Sequence, residues 1–231
     1  MTSIRQNLNI SAYLVIGPEN TLGRDVASIV RQAVESGFTC VQVRSKVASA
    51  KEMIKLCRDC ANVLADLKKS DSVALLVDDR LDVVLAAREE GIKVDGVHVG
   101  QSDIPVSVCR KFLGEDSIVG LSAPASSLID YVKSCDVSDL DYFGAGPLHE
   151  TQTKPDCGLD EHGVVITRTF DELTELASIS PVPVVVGGGV KVNDLPSLKK
   201  TNVDGFFVVS AVASADDPSK AASDLVSAWN S

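Results

Sequence analysis

Short runs rich in β-branched residues alternate with helix-like stretches along the whole chain, and no other sequence feature constrains the fold as strongly. Eight such runs occur, at 13–17, 40–45, 73–79, 96–100, 117–123, 142–148, 183–189 and 205–213. The helix-like stretches lie near 24–36, 50–69, 81–90, 105–113, 125–134, 163–178, 193–200 and 217–229. Apolar strands that alternate with helices over short turns are typical of parallel pairing. The pattern therefore predicts a parallel α/β fold.

Two architectures fit this pattern, a closed (β/α)8 TIM barrel and an open doubly wound sheet. A dinucleotide-binding open sheet would carry a G-x-G-x-x-G fingerprint after its first strand. The turn at 17–20 is Gly-Pro-Glu-Asn and lacks it, and eight units in 231 residues match a compact barrel. We expect a single domain over 1–231, with 1–11 as a polar N-terminal extension. The active site of such a barrel lies at the carboxyl ends of the strands.

The chain is acidic, with Lys+Arg 22 against Asp+Glu 32 and a formal net charge of −10. This charge disfavours nucleic acid and an anionic membrane surface as partners. No apolar stretch approaches the roughly 20 residues that span a bilayer, and the segment 1–12 lacks a signal-peptide apolar region. We expect a cytoplasmic protein with small-molecule partners, and we leave homo-oligomer formation open. Local cations and backbone amides must then hold any anionic ligand.

Polar side chains alternate with valines at the end of the second run. Gln42, Arg44 and Lys46 occupy every second position there. Alternate side chains of an extended strand share a face, so these three groups are expected to project together. Two cations and an amide at a strand end form a receptor for a polyanion such as diphosphate. The alternative is an edge strand with a solvated polar face.

Carboxylates follow the third and fourth runs. Asp78 and Asp79 stand where the third run passes into a helix, and Asp103 lies in the loop after the fourth. Mg2+ prefers one or two carboxylates together with water and substrate phosphate oxygens. Asp79 and Asp103 are therefore predicted to bind Mg2+, and Asp78 to contribute to substrate binding. The alternative is that these residues are helix N-caps, a common role at such junctions.

Polar groups also end the fifth and sixth runs. Ser122 is expected at the top of the fifth strand, where its hydroxyl suits a ring nitrogen or a phosphate, or else a local backbone hydrogen bond. The loop after the sixth run carries Thr151, Thr153 and Lys154. Two hydroxyls and a cation in one loop fit phosphate capture, and a polar solvent-exposed turn is the alternative. His98 is expected either to touch the ligand or to be a hydrogen-bonded core histidine.

The seventh and eighth runs end in small residues, Gly187-Gly188-Gly189 and Val209-Ser210-Ala211. Glycines let backbone amides approach a ligand, and the loops after strands seven and eight form the usual phosphate site of this barrel. We therefore predict that a monophosphate binds at Gly188, Val209 and Ser210, while a diphosphate binds at the cations on the opposite side of the mouth.

Taken together, these motifs resemble those of the thiamine-phosphate synthase family over about residues 12–230. The motifs are Gln42-x-Arg44-x-Lys46, Asp78-Asp79-Arg80, the segment 96–103, Gly144-x-Gly-Pro, Thr151-x-Thr153-Lys154, Gly187-Gly-Gly and Val209-Ser210-Ala211. The resemblance implies a Mg2+-dependent transferase. Such an enzyme joins an aminopyrimidine that carries a methyl diphosphate to the nitrogen of a thiazole phosphate, and it releases diphosphate.

The resemblance also implies roles for individual residues. In the family, the residues that hold the diphosphate act in catalysis, and they match Arg44, Lys46 and Lys154 of this chain. The match for Mg2+ is Asp79 and Asp103, and the match for the pyrimidine is Gln42 and Ser122. Those aligned with the thiazole phosphate site are Thr151, Thr153, Gly188, Val209 and Ser210.

Two departures from the family pattern affect this assignment. The family usually has Asn-Asp where this chain has Asp78-Asp79, and Phe-Pro where it has His149-Glu150. An extra carboxylate beside the metal can tighten Mg2+ binding or repel diphosphate, and Glu150 adds an acid near the same anion. Both changes concern substrate affinity more than reaction type.

Three other functions compete with this one. A thiazole tautomerase-like paralogue would share the barrel and the phosphate site without needing the diphosphate cations and the Asp pair. A non-catalytic barrel could bind thiamine phosphate as a sensor. A sugar-phosphate epimerase or aldolase would need a lysine or an acid/base pair at the barrel centre, and Lys46 is the obvious candidate for it.

Overall fold

The computed structural model describes residues 3–151, 153, 158–159 and 163–231. Its parallel strands pair in chain order, and the last pairs with the first, so the sheet closes into a barrel. The strands are β1 Ala12–Ile16, β2 Cys40–Val43, β3 Ala74–Asp78, β4 Gly96–Val99, β5 Ile118–Ser122, β6 Tyr142–Ala145, β7 Val184–Val186 and β8 Gly205–Val208. The predicted (β/α)8 barrel is confirmed.

Helices follow the strands and form the outer layer. They are α1 Val26–Glu35, α2 Ala50–Asp66, α3 Leu81–Glu89, α4 Val106–Leu113, α5 Leu128–Ser134, α6 Phe170–Ile179, α7 Leu195–Lys199, α8 Ser210–Ala213 and α9 Pro218–Asn230. Short 3-10 helices cover Pro18–Asn20 and Val192–Asp194. Among the residues that the structure describes, no helix is long and apolar enough to cross a membrane.

Local sequence explains where these helices begin. Helix α2 starts with a capping box, in which the Ser49 hydroxyl accepts from the Glu52 amide at 3.3 Å and the Glu52 carboxylate accepts from the Ser49 amide at 2.8 Å. This exchange satisfies two amides that the first helical turn leaves unpaired. The helix then buries Met53, Cys57 and Leu64 in the core between the strands and the helices. Full burial of a side chain such as Met53 or Leu64 stabilises the fold by roughly 1.5–3 kcal/mol.

Two apolar cores hold the barrel together. One lies between the strands and the helices, and a smaller one fills the barrel interior with side chains such as Tyr13, Leu76 and Tyr142. The segment before β1 closes the amino end of the interior, where Ile10 is buried. Because this end is filled, the opposite end is the side where the barrel can open to a ligand.

Several element boundaries differ from the sequence prediction, and two of the differences are large. The run at 205–213 was expected to be one strand, but β8 ends at Val208 and Ser210 begins helix α8. The stretch at 163–178 was expected to be helical throughout, but α6 begins only at Phe170, where the Thr169 hydroxyl accepts from the Glu172 amide at 3.2 Å. Short apolar runs do not distinguish strand from helix by periodicity, which explains the first error.

Candidate active site

The carboxyl ends of the strands surround a solvent-open cavity with about 770 Å³ of empty space. Nine of the residues to which the sequence analysis assigned a substrate-binding or catalytic role line it, namely Gln42, Arg44, Asp78, Ser122, Thr151, Thr153, Gly188, Val209 and Ser210. Three others, Lys46, Asp79 and Asp103, form a charged cluster at its edge with Asp78. Lys154 lies outside the described residues. The strand-end argument thus brings most of the predicted side chains to one mouth.

Gln42 lies on an interior strand, so the alternative of a solvated edge strand is wrong. Strand β2 pairs with β1 and β3, and Gln42 is 3% exposed. Its amide nitrogen is buried and has no acceptor among the described residues. An unsatisfied buried polar group costs about 1–3 kcal/mol. A ligand atom that accepts a hydrogen bond in the cavity would remove this cost.

Arg44 and Lys46 follow β2, which is shorter than the predicted run, and both pair with acids. Arg44 Nε lies 3.1 Å from Asp78 Oδ2, and Lys46 Nζ lies 3.5 Å from the same oxygen. Lys46 also forms an ion pair with Asp79. Partial burial lowers the pKa of Lys46, but the hydrogen bond to Asp79 and the charge of Asp78 outweigh it and raise the pKa. Both cations therefore reach the cavity edge already paired with acids.

The helix-cap alternative for the three aspartates is wrong. The N-cap of α3 is Arg80 and that of α4 is Pro105, and neither helix start has a side-chain cap. Asp103 instead accepts from the Gly100 amide at 2.9 Å. Their carboxylates are therefore directed to other partners.

Asp79 and Asp103 lie close enough for a protonated Asp103 carboxyl to donate a hydrogen bond to Asp79. Burial raises the pKa of Asp103, and the hydrogen bond to Asp79 raises it further. Within the described ranges, no group of three or more His, Cys, Asp or Glu side chains could hold a metal alone. Two converging carboxylates fit Mg2+ all the same, because this ion takes few protein ligands and completes its shell with water and phosphate oxygens.

Ser122 and His98 lie deeper in the cavity and form a hydrogen bond with each other. The Ser122 hydroxyl lies 2.8 Å from His98 Nε2, so its hydrogen-bond partner here is a side chain rather than the local backbone. His98 Nδ1 lies 2.9 Å from the Tyr142 hydroxyl. His98 is therefore a hydrogen-bonded core histidine that also lines the cavity, and its contact with a ligand stays a prediction.

The opposite side of the cavity is built from backbone. Gly188 has a φ of 79°, and a Cβ there would lie 2.5 Å from the Pro147 Cβ. The two loops meet because the Leu148 amide donates to Gly187 O at 2.9 Å and the His149 amide donates to Gly188 O at 2.9 Å.

Helix α8 begins at Ser210, on the same side of the cavity. The Thr153 hydroxyl donates to the Ser210 hydroxyl at 3.3 Å. A short helix start beside a glycine turn is a ready anion site, because its amides point outward without intrahelical partners.

Sequence reasoning missed the apolar part of the cavity. Val15 from β1 and Phe207 from β8 also line it. Gly187 makes room for the Phe207 ring, with which a Cβ would overlap. The only available signal was the alternation of inward and outward positions along each strand, since neither residue belongs to a polar motif.

Comparisons with known proteins agree with this geometry. A family model described as thiamine monophosphate synthase matches residues 12–212. A thiamine-phosphate synthase of Corynebacterium efficiens is 38% identical over 226 residues, covering 98% of each chain. One of Clostridium tetani is 32% identical over 225 residues, covering 97% of this chain and 98% of the relative.

A solved structure is similar as well. Thiamine phosphate pyrophosphorylase from Pyrococcus furiosus superposes with a TM-score of 0.76 at 26% identity, covering 96% of each chain. A 3-hexulose-6-phosphate synthase, at 16% identity and a TM-score of 0.61, shares the fold. Because the family model spans most of the barrel and relatives above 30% identity cover nearly the whole chain, this chain belongs to the thiamine monophosphate synthase family.

Proposed function

We propose that the protein is a thiamine-phosphate synthase. It would join 4-amino-2-methyl-5-(diphosphooxymethyl)pyrimidine to thiazole phosphate and release diphosphate. The observation that carries this proposal is a single cavity lined by Arg44 on one side and by Gly188 and Ser210 on the other. Two anions can therefore be held at opposite sides, with the reacting carbon and nitrogen between them.

The chemistry needs charge stabilisation rather than a general base. The bond between the pyrimidine methylene carbon and the diphosphate oxygen breaks, and the thiazole nitrogen lone pair forms the new carbon–nitrogen bond. Negative charge develops on the leaving diphosphate, where Arg44, Lys46 and Lys154 would stabilise it. The electron-rich aminopyrimidine would spread the positive charge, which favours a dissociative substitution.

Asp79 and Asp103 would hold Mg2+ in this mechanism. When bound, the ion supplies further positive charge for the diphosphate. Lys46 lies beside these carboxylates through its ion pair with Asp79. The Gly100 amide orients the Asp103 carboxylate, so at least one of the two ligands is held in place by backbone.

The remaining cavity groups would position the two organic substrates. Gln42 and Ser122 would hydrogen-bond the polar edge of the pyrimidine, and Val15 and Phe207 offer apolar surface to its ring. The phosphate of the thiazole would lie at the amides and hydroxyls of Thr151, Thr153, Gly188, Val209 and Ser210. A cytoplasmic location is part of the proposal and rests on composition alone.

Two competing functions fit the site less well. A thiazole tautomerase-like paralogue has no use for the paired cations and acids around Arg44 and Lys46. A Schiff-base aldolase needs a lysine whose pKa is lowered, whereas the pKa of Lys46 is raised by its acidic neighbours.

The test is a turnover assay with both substrates and Mg2+. We expect thiamine phosphate and diphosphate to appear in equal amounts, and to be lost when either substrate is omitted or EDTA removes the metal. Absence of diphosphate release at micromolar protein with Mg2+ present would refute the proposal. Product formation that persists in EDTA would remove Mg2+ from it.

A further inference from the structure

Four side chains form a continuous hydrogen-bond chain from the lower barrel core to the cavity. The hydroxyls of Tyr13 and Tyr142 lie 2.9 Å apart, and the Tyr142 hydroxyl lies 2.9 Å from His98 Nδ1. His98 Nε2 lies 2.8 Å from the Ser122 hydroxyl. Only the last two members, His98 and Ser122, line the cavity. The two tyrosines are not used by the proposed chemistry.

Close packing holds the rings of this chain in place. A Cβ at Gly120 would overlap the Tyr142 ring, and one at Gly144 would lie 3.1 Å from His98 Cε1. The rings of His98 and Tyr142 stack with centroids 5.5 Å apart and an interplanar angle of 29°. The strands therefore leave space for these two rings where they carry glycine. This packing opposes rotation of the imidazole away from Ser122.

Each phenol in the chain keeps its single proton. Burial raises the pKa of Tyr13 and of Tyr142 well above the usual value. A chain of neutral phenols and an imidazole with one proton can run in only two directions. In one direction Ser122 donates to His98 and offers the cavity only lone pairs. In the other, His98 donates to Ser122, and the serine proton is free for the ligand.

The buried end of the chain favours the second direction. The Tyr13 hydroxyl lies 2.9 Å from the Tyr142 hydroxyl, and the Cys40 thiol and the charge of Asp78 are also near it. Burial raises the pKa of the Cys40 thiol, so it keeps its proton. A thiol sulfur is a weak acceptor. Tyr13 therefore donates to the phenol oxygen of Tyr142, which must in turn donate to His98 Nδ1.

We infer that His98 is a positioning residue whose Nε2–H donates to Ser122, so that the serine hydroxyl proton points into the cavity. The site would then select a ligand with a hydrogen-bond acceptor at this position. The identity of that acceptor rests on the proposed function, in which it is a ring nitrogen of the aminopyrimidine. Tyr13 and Tyr142 set the direction of the chain from below.

The tautomer of His98 tests the inference without substrate. In 15N spectra of the full-length protein, we expect a protonated Nε2 and an unprotonated Nδ1 for His98. The chain has three histidines, so loss of one signal set in His98→Gln assigns the ring. In Tyr142→Phe, we expect the preference for the Nε2–H tautomer to weaken. An Nδ1–H tautomer, an equal mixture or a doubly protonated ring in the wild type would overturn the inference.

Kinetics of two matched substitutions test the effect on the ligand. The amide nitrogen of His98→Gln can replace Nε2 as a donor to Ser122, whereas the shorter amide of His98→Asn matches Nδ1 instead. We expect His98→Gln to keep about ten times more kcat/KM for the pyrimidine diphosphate than His98→Asn, a difference of about 1.4 kcal/mol. The KM for thiazole phosphate should stay unchanged in both. Equal losses in the two variants would contradict the positioning role.

A stability control separates positioning from general damage. Thr201 is buried, and its hydroxyl donates to Leu198 O at 2.7 Å beyond the end of α7. Thr201→Val removes a buried hydroxyl that is not part of the hydrogen-bond chain. It should leave unchanged both kcat/KM for the pyrimidine diphosphate and KM for thiazole phosphate. If the synthase assay fails while the Nε2–H tautomer is observed, the proposed function falls and the hydrogen-bond chain stands. If the synthase assay succeeds while the Nε2–H tautomer is not observed, the proposed function stands and the direction of the hydrogen-bond chain is overturned.

Discussion

The two sides of the cavity that we propose to bind anions differ in composition. On one side, the side chains of Arg44 and Asp78 neutralise each other at 3.1 Å. On the other, Gly188 and the start of α8 at Ser210 offer backbone amides, and no charged side chain is needed. The charged side must exchange its internal ion pairs for contacts with the ligand. The backbone side has no ion pair to exchange, so ligand binding there depends on the space that Gly188 leaves.

This contrast predicts that the charged side controls turnover and the backbone side controls affinity for one substrate. A leaving group gains charge only as its bond breaks, so cations beside it act on the transition state. The phosphate of the acceptor substrate keeps the same charge throughout. Contacts to it therefore bind the ground state and the transition state equally, and they change KM rather than kcat.

The largest effect is expected from Arg44→Ala. Loss of one preorganised group that stabilises developing charge lowers kcat by roughly 100-fold or more. The control is Arg31→Ala, which removes an arginine paired with Asp66 at 2.8 Å on the exposed helix surface. That variant should retain wild-type turnover. A wild-type kcat in Arg44→Ala would remove this residue from the leaving-group role.

Gly188→Ala tests the backbone side. The new Cβ would press on Pro147 and force a side chain onto a φ of 79°, so we expect about a tenfold rise in KM for thiazole phosphate, or about 1.4 kcal/mol. The KM for the pyrimidine diphosphate should change little. Gly91→Ala is the matched control, because Gly91 has a φ of 72° with nothing near its Cβ position. If Gly91→Ala raised the KM for thiazole phosphate as much as Gly188→Ala does, backbone strain alone would explain the rise.

Asp78→Asn tests whether the charged side competes with its own ligand. Asp78 occupies the guanidinium of Arg44, so neutralising it should tighten diphosphate binding about threefold, as expected for release of one partly exposed ion pair. Calorimetric titration with diphosphate and Mg2+ measures this change. The control is Asp82→Asn, whose partner Arg80 lies at 2.6 Å on the exposed surface of α3. Weaker binding in Asp78→Asn would instead show that Asp78 orients Arg44 for the ligand.

The contrast between the two sides also explains what the sequence could predict. Periodicity located the barrel, and the strand-end rule of that fold brought Gln42, Ser122 and Gly188 to one cavity. Both inferences need only residue spacing. The pairing of Asp78 with Arg44 needs side-chain directions, which spacing does not supply.

Other features depend on neighbours that are distant in sequence. Val15 and Phe207 line the cavity because β1 and β8 meet when the barrel closes. The contact between Tyr13 and Tyr142 likewise spans the barrel interior. None of these residues forms part of a local motif. Sequence therefore predicted the polar residues of the site better than its apolar surface and its supporting hydrogen bonds.

The smallest predicted effect concerns the unfavourable charge that the acidic cluster carries. Burial and the hydrogen bond to Asp79 raise the pKa of Asp103, so its ionised form is disfavoured in the folded protein. This cost is present above the raised pKa and is relieved as pH falls through it. Without metal, Asp103→Asn should therefore raise the Tm at neutral pH, by about 1 °C because solvent screens this partly exposed group. The gain should shrink as the pH is lowered.

Adding Mg2+ should make the wild type more stable than Asp103→Asn, because a ligand that binds only the folded state stabilises it. The Tm of the wild type should rise with Mg2+ and diphosphate, while that of Asp103→Asn should rise less. Asp66→Asn, which removes the surface partner of Arg31, should respond to Mg2+ as the wild type does. Equal Mg2+ responses in wild type and Asp103→Asn would show that Asp103 is not a metal ligand, and its raised pKa would then reflect only crowding of two acids at the charged side.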